Sequence, residues 1–134
     1  MRIARRLALT LLALAAVFAA ITWLALEQGG VAVIETRAPD GTPHKTHVWT
    51  VEHDGALWLE AGSPQNAWFV DLQRDPRLRL QIDGATRDAT AEIVPEASPD
   101  IRAAIREKYG WRDAWVQMLV NANSATAVRV RTRP

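Results

Sequence analysis

The chain has 134 residues, with 16 Lys and Arg against 15 Asp and Glu, and it contains no cysteine. This length allows an N-terminal segment and one globular domain with one core, and it excludes a second domain. The near-balance of charge argues against a nucleic-acid-binding protein, and the lack of cysteine excludes disulfides, iron-sulfur clusters and thiolate metal sites.

The N-terminal segment is apolar. Leu7 to Leu26 is a run of twenty residues without a charge, and arginines precede it at positions 2, 5 and 6. At about 1.5 Å per residue, a helix of this length spans a hydrocarbon core of roughly 30 Å. We therefore predict that residues 1–30 form a single-pass membrane anchor, with Trp23 at the lipid interface. The arginines predict a cytoplasmic N-terminus and a periplasmic or other extracytoplasmic domain.

A cleavable signal peptide is the alternative interpretation of this segment. The alanines around Val17-Phe18-Ala19 suit a peptidase, but the apolar stretch is longer than the usual signal-peptide core of about 7 to 15 residues. A buried helix of the domain is disfavoured because the helix would have no polar face. The pattern favours a retained anchor.

After residue 30 the pattern changes to extended segments. Strands are predicted at Val31–Arg37, Pro43–His53 and Ala56–Ala61. Pro39-Asp40-Gly41 is a turn sequence between the first two, and Asp54-Gly55 between alternating segments is a strong hairpin signal.

A short helix is predicted next. Ser63-Pro64 has the pattern of an N-cap followed by proline at the first helical position. Trp68 and Leu72 stand four residues apart on this helix, and Asp75-Pro76 ends it.

Two further strands follow. From Arg77 to Asp83 the residues alternate, which predicts a half-buried strand with Leu78, Leu80 and Ile82 on its buried face. Gly84 permits a turn into a fifth strand at residues 86–94.

The remaining segment contains two helices and a last strand. Ser98-Pro99-Asp100 repeats the capping pattern before a helix that stops at Gly110. A second helix carries Trp111 and Trp115, and residues 125–132 form a strand rich in Val and Arg. The order of elements predicts an α+β fold, a small barrel or rolled sheet of about six antiparallel strands with short helices.

The three histidines do not indicate a metal site. His44 and His47 face opposite sides of one strand, whereas His47 and His53 share a face but lie about 20 Å apart. No carboxylate cluster completes a ligand set, so we predict no metal.

The segment around residue 63 is a better candidate for a ligand. Gly62-Ser63-Pro64 opens a predicted helix directly after a strand, and free N–H groups with the positive end of a helix dipole attract phosphate. Lys45 and Thr46, on the preceding hairpin, offer a cation and a hydroxyl to the same anion.

A resemblance to a known family is carried by DGTPHKTHVW at 40–49, LWLEAG at 57–62 and AWFVDL at 67–72, followed by Asp75-Pro76. These segments, and more broadly residues 31–94, resemble the split-barrel oxidoreductases of the deazaflavin-dependent nitroreductase and quinone reductase family. That family shows a Gly-x-x-Arg-Thr turn and strand and a Trp-x-x-Asn-Leu helix followed by Asn-Pro. The spacing of Trp68, Leu72 and Pro76 is kept. Asp71 and Asp75 replace the two Asn, and His44 or Lys45 stands in place of the phosphate-facing Arg.

The resemblance implies that residues 31–134 form a split β-barrel that binds a deazaflavin of the F420 type or FMN. A homodimer is a further implication. The resemblance also implies six cofactor-binding residues. The second strand would contribute Lys45, Thr46 and His47. The phosphate would meet Gly62 and Ser63, and the pocket would be closed by Trp68.

The function that follows is that of a membrane-anchored oxidoreductase, in which a deazaflavin or FMN passes a hydride to a quinone- or nitro-type acceptor. In such chemistry the ring reacts and the protein positions it, so no catalytic acid or base is assigned. The alternative is a non-catalytic split-barrel module at the membrane surface that binds haem, a flavin or a protein partner, the last through Trp-rich faces that include Trp111 and Trp115.

Overall fold

The structure, a computed structural model, describes residues 1–27, 29–120 and 124–133. Within these ranges six strands and four α-helices follow one another, and a short 3-10 turn at Pro95–Ala97 leads into the third helix. Their order is α1 (Arg2–Glu27), β1 (Val31–Arg37), β2 (Pro43–His53), β3 (Ala56–Ala61), α2 (Ala67–Arg74), β4 (Arg77–Ile82), β5 (Ala85–Ile93), α3 (Ser98–Tyr109), α4 (Trp111–Leu119) and β6 (Thr126–Thr132).

The strands close into a barrel in the order β1-β2-β3-β6-β5-β4. All six neighbouring pairs are antiparallel. Strand side chains alternate between the barrel interior and its outer surface, because the side-chain period of a strand is two. In β4, Leu78 and Leu80 are buried in the barrel core and Ile82 packs against it, which confirms the predicted register. The predicted fold class, a six-stranded antiparallel barrel with short helices, is likewise confirmed.

Helix α2 packs against the barrel and contributes to its core through Trp68, Phe69 and Leu72. Its one buried carboxylate, Asp71, is 3% exposed. The Asp71 Oδ2 atom accepts a hydrogen bond from the hydroxyl of Thr36 at 2.8 Å and lies 2.8 Å from His44 Nδ1. These bonds tie α2 to β1 and β2, since a buried carboxylate needs donors from the elements that cover it.

The start of α2 differs from the prediction. The helix begins at Ala67, with Asn66 at the N-cap position, and not at Ser63-Pro64. The hydroxyl of Ser63 instead accepts the backbone N–H of Gln65 at 3.2 Å, so it closes a local turn that precedes the helix.

The second capping signature is also used in another way. Helix α3 begins at Ser98, as expected, but the 3-10 turn runs directly into it and leaves no extended residue to act as a cap. The Ser98 hydroxyl accepts the backbone N–H of Ala127 from β6 at 3.0 Å. Ser98 therefore joins α3 to the barrel.

A second core lies between the barrel and α3. The outer faces of β2, β3 and β6 contribute Val51, Trp58 and Ala127, and α3 contributes Ile101, Ile105 and Tyr109. The Tyr109 hydroxyl accepts the Thr50 N–H at 3.0 Å and donates toward carbonyls of Gly30 and Thr50, each at 2.8 Å. This contact fixes the end of α3 beside the start of β1.

Helix α1 is long and apolar enough to cross a bilayer, with a mean hydropathy of 2.4 over Ile3–Leu26. Its last turns contact the domain. The Trp115 indole N–H donates to Thr22 Oγ1 at 3.1 Å, and the Trp115 ring lies 5.4 Å from that of Phe18. The Trp49 indole N–H donates to the Leu26 carbonyl at 3.3 Å. The apolar helix is therefore attached to α4 and β2 by side-chain contacts as well as by the chain itself.

Candidate functional site

A cleft of about 330 Å³ lies on the outer face of β2, where the start of α2, the two C-terminal helices and the end of α1 meet. Its volume is at the lower end of the range of small-molecule sites. Its walls are mostly apolar, and a few polar side chains converge on it. The lining residues are Leu26, His47, Val48, Trp49, Glu60, Gly62, Asn66, Trp68, Arg102, Ile105, Val116, Gln117 and Val120.

Two tryptophans shape the cleft. Trp68 is 5% exposed and packs edge-on against Phe69, with ring centroids 6.0 Å apart, so the barrel core fixes its ring. Trp49 stacks on Tyr109 with centroids 4.3 Å apart and planes 10° from parallel. Fixed aromatic walls of this kind suit a flat, largely apolar ligand.

A buried group of three charges lies at the cleft. The Arg102 guanidinium donates through Nη1 to Glu60 and through Nη2 to Asp113. The three side chains are 18%, 10% and 3% exposed, in that order. Two carboxylates therefore share one cation in a poorly hydrated environment, where charge interactions are stronger than in water.

Glu60 is the member of this group that is incompletely paired. Its Oε2 atom is buried and has no hydrogen-bond partner within the described part of the chain. Burial raises the pKa of Glu60, and the nearby Asp113 charge raises it further, whereas Arg102 opposes the shift. An unmatched buried acceptor costs about 1 to 3 kcal/mol. Rotation of the Glu60 carboxylate toward the cleft would bring this atom to a ligand, and an N–H or O–H donated there would recover part of that cost.

The structure brings together three of the six residues proposed for the cofactor. His47, Gly62 and Trp68 line the cleft. Lys45 lies on the same outer face of β2, two residues and about 7 Å from His47, opposite Glu35 of β1. Thr46 alternates with these two and faces the other side of the strand.

Ser63 follows Gly62 but stands in the turn before α2, so the helix-dipole argument for a phosphate does not apply at that residue. His44, one of the two candidates for the phosphate-facing position, lies against Asp71 of α2. Lys45 is the remaining candidate.

The sequence reasoning missed Glu60, Arg102 and Asp113. Glu60 alternates with inward-facing Leu59 and Ala61, and so shares the outer face of β3 with Trp58. A tryptophan on that face indicates that a further element covers it. The partners of Glu60 could not be deduced, because Arg102 lies 42 residues away and Asp113 another 11.

No cluster of three or more His, Asp or Glu side chains in the described ranges is arranged to hold a metal ion. The cleft presents to a ligand its aromatic walls, Glu60 with Arg102, and His47.

Comparisons with known proteins fit this architecture. The model of a family described as an uncharacterized protein conserved in bacteria, DUF2255, matches residues 27–130. No curated protein matches the chain.

Solved structures share the barrel. The conserved hypothetical protein Rv2991 from Mycobacterium tuberculosis is 27% identical with a TM-score of 0.58, and the match covers 87% of this chain and 80% of that one. An F420 reductase is 15% identical with a TM-score of 0.57, over 84% of this chain and 93% of that one. HutZ, the haem storage protein from Vibrio cholerae, is 15% identical with a TM-score of 0.60, over 82% and 86%. The last two likenesses establish a common fold.

Proposed function

The chain belongs to the DUF2255 family of bacterial proteins, and we propose that it is a membrane-anchored oxidoreductase in which a bound deazaflavin or FMN passes a hydride to a quinone- or nitro-type acceptor. The observation that carries the proposal is the cleft, because it combines fixed aromatic walls with a buried, unmatched acceptor on Glu60. The imide N–H of a flavin or deazaflavin ring is a donor of the kind that such an acceptor lacks. The barrel that this chain shares with an F420 reductase supports the choice of ring.

Different residues of the cleft would contact different parts of such a ring. Trp68 and Trp49 would contact its flat faces, while the Gly62 backbone and His47 would border it. When bound, the ring supplies hydride transfer, and the protein supplies orientation and the exclusion of water.

Lys45 is the residue that we assign to the phosphate of the cofactor, because Thr46 faces the other side of β2 and Ser63 closes the turn before α2. Lys45 projects from the outer face of β2 beyond His47, so a tail that leaves the cleft along this strand would reach its ammonium group. Arg102 is the cation within the cleft lining, but its Nη1 and Nη2 atoms both face carboxylates. A phosphate inside the cleft would meet Glu60, and for that reason we place it outside.

We further propose that α1 is retained as a single-pass anchor with its N-terminus in the cytoplasm, which would place the barrel on the extracytoplasmic side. Arginines precede the apolar run and none lies within it, as the positive-inside rule requires. Lipophilic quinones dissolve in the bilayer, so an anchored domain would meet them at high local concentration. A homodimer, common among barrels of this type, belongs to the same proposal.

The test is ligand binding by the full chain in nonionic detergent. FMN, a deazaflavin and haem are titrated separately, and binding is followed by absorption and by quenching of tryptophan fluorescence. We expect FMN or the deazaflavin to bind and to quench the cleft tryptophans. Failure of both to bind would overturn the oxidoreductase proposal.

The matched variants are Lys45→Ala and, as an exposed cation on another strand, Arg87→Ala. Loss of a charge-assisted contact worth roughly 1.5 to 3 kcal/mol weakens binding about tenfold to a hundredfold in Lys45→Ala. Arg87→Ala should bind as the unmodified chain does, and both should melt normally. Equal affinities for the two variants would remove Lys45 from the site.

A second candidate function, a non-catalytic haem-binding module, is favoured by one observation. His47 lines the cleft, and imidazole is a common axial ligand of haem iron. The same titration separates the two functions, because a haem site would show a Soret band that shifts when His47 is replaced by Ala.

A further inference from the structure

Helix α4 exposes a face of large apolar side chains. Trp111, Met118 and Leu119 are 59%, 74% and 47% exposed. Its charged side chains face the domain instead. Asp113 is buried against Arg102, and the Arg112 guanidinium lies 4.9 Å from the centre of the Tyr109 ring. A helix on a protein surface in water normally shows the opposite arrangement.

The contacts between α4 and α1 set the level of α4 relative to a bilayer. Trp115 touches Phe18 and Thr22, which lie eight and four residues before Leu26, or about 12 and 6 Å along the helix axis. When the run from Leu7 to Leu26 fills a hydrocarbon core of roughly 30 Å, this part of α4 lies about 6 to 12 Å inside the end of that core, comparable with the burial of about 5 to 10 Å that interfacial helices show. Water does not cover a helix at that depth.

We infer that α4 is an interfacial helix, embedded in the same bilayer that α1 crosses, and that the cleft opens at the lipid surface. The occupant of the exposed face of α4 is lipid, because α4 packs directly against α1, whose own apolar side chains are exposed. Trp23 of α1 is 61% exposed and lies about 5 Å before Leu26. Trp23 and Trp111 are thus placed as aromatic residues commonly are at the edge of a membrane.

The embedding would define the route by which a substrate reaches the site. Leu26 of α1, and Val116 and Gln117 of α4, line the cleft, so its rim on this side is built from the two helices that contact lipid. An acceptor dissolved in the bilayer would enter laterally between them without crossing water. The substrate class that fits this entrance is a lipophilic ring compound, such as a quinone with an apolar tail. This inference rests on the membrane anchor of the proposed function and not on the identity of the cofactor.

Because the chain has no cysteine, single nitroxide labels can report the position of α4 in the full-length protein. Met118→Cys places a label on the outer face of α4. Gln73→Cys places one on an exposed position of α2, whose last turn lies beside the far end of β1 and away from α1. Both variants are reconstituted in lipid nanodiscs without any flavin. Collisions of the label with oxygen, which concentrates in lipid, are then compared with collisions with a water-soluble nickel chelate.

We expect the label at position 118 to favour oxygen over the chelate several-fold, and the label at position 73 to show the reverse. A water-like ratio at position 118 would overturn the inference. If both reagents are excluded at position 118 and the labels broaden each other by dipolar coupling, a second copy of the chain covers α4. That result would also overturn the inference. Leu119→Cys repeats the measurement should Met118→Cys fail to fold. The ratios do not depend on cofactor binding, so a failure of the proposed enzymatic function leaves this test decisive.

Discussion

Replacing Arg102 by Ala removes the cation that two buried carboxylates share. The side chains of Glu60 and Asp113 are 10% and 3% exposed, so neither can recover its hydration without opening the packing of α3 and α4 against the barrel. Breaking one buried pair by removing a partner typically costs 3 to about 5 kcal/mol. Because two carboxylates lose one partner here, we expect a loss at the upper end of that range at pH 7, which is a large part of the roughly 5 to 15 kcal/mol that stabilises a typical domain.

The loss should depend on pH with a definite sign. Burial already raises the pKa of Glu60 above its ordinary value of 4.5, and removal of the Arg102 charge would raise it further. A carboxyl group with a raised pKa in the folded state destabilises the fold when it is ionised, and this penalty vanishes once the pH falls toward the unfolded value. The difference between Arg102→Ala and the unmodified chain should therefore be largest at pH 7 to 8 and clearly smaller at pH 5.

The assay is urea unfolding of the full chain in nonionic detergent, followed by circular dichroism at several pH values. Arg87→Ala is the control, since Arg87 is an exposed arginine on β5 whose charge is not among those that shift the pKa of Glu60, and we expect it to change stability by less than about 0.5 kcal/mol. A loss for Arg102→Ala as small as that of the control, or a large loss that is independent of pH, would refute the reasoning about the shared cation.

Three further outcomes are expected. Leu80 is 1% exposed, so Leu80→Ala should lower the free energy of unfolding in urea by about 2 to 5 kcal/mol. Gln81→Ala, at the exposed neighbouring position, should lower it by well under about 1 kcal/mol. Equal effects would contradict the register of β4. Thr36→Val removes a hydrogen bond to the buried Asp71 and should lower the free energy of unfolding by about 1 to 3 kcal/mol. A thermal melt with an unchanged midpoint would contradict this expectation. Intact-mass analysis of the protein from its membrane fraction should show residues 1–27 retained, and a new N-terminus near Ala20 would refute the anchor.

The sequence by itself determined the elements of this protein and their faces. The two-residue alternation of Leu78, Leu80 and Ile82, the Asp54-Gly55 turn and the uncharged run from Leu7 are all local signals. The side-chain direction in a strand and the length of a helix follow from the backbone geometry of the segment alone. For that reason the strand boundaries and the fold class were predictable from composition and spacing.

Tertiary structure alone decided the site. Leu26, His47, Glu60, Arg102 and Val116 come from five different elements, and no periodicity along the chain relates them. Only closure of the barrel and the packing of α3 and α4 on its outer face bring these side chains together, and the same packing turns the charges of α4 inward and leaves its apolar face outside. Local sequence preferences carry no information on such juxtapositions, because the energy that selects them comes from burial and charge pairing between segments far apart in the chain.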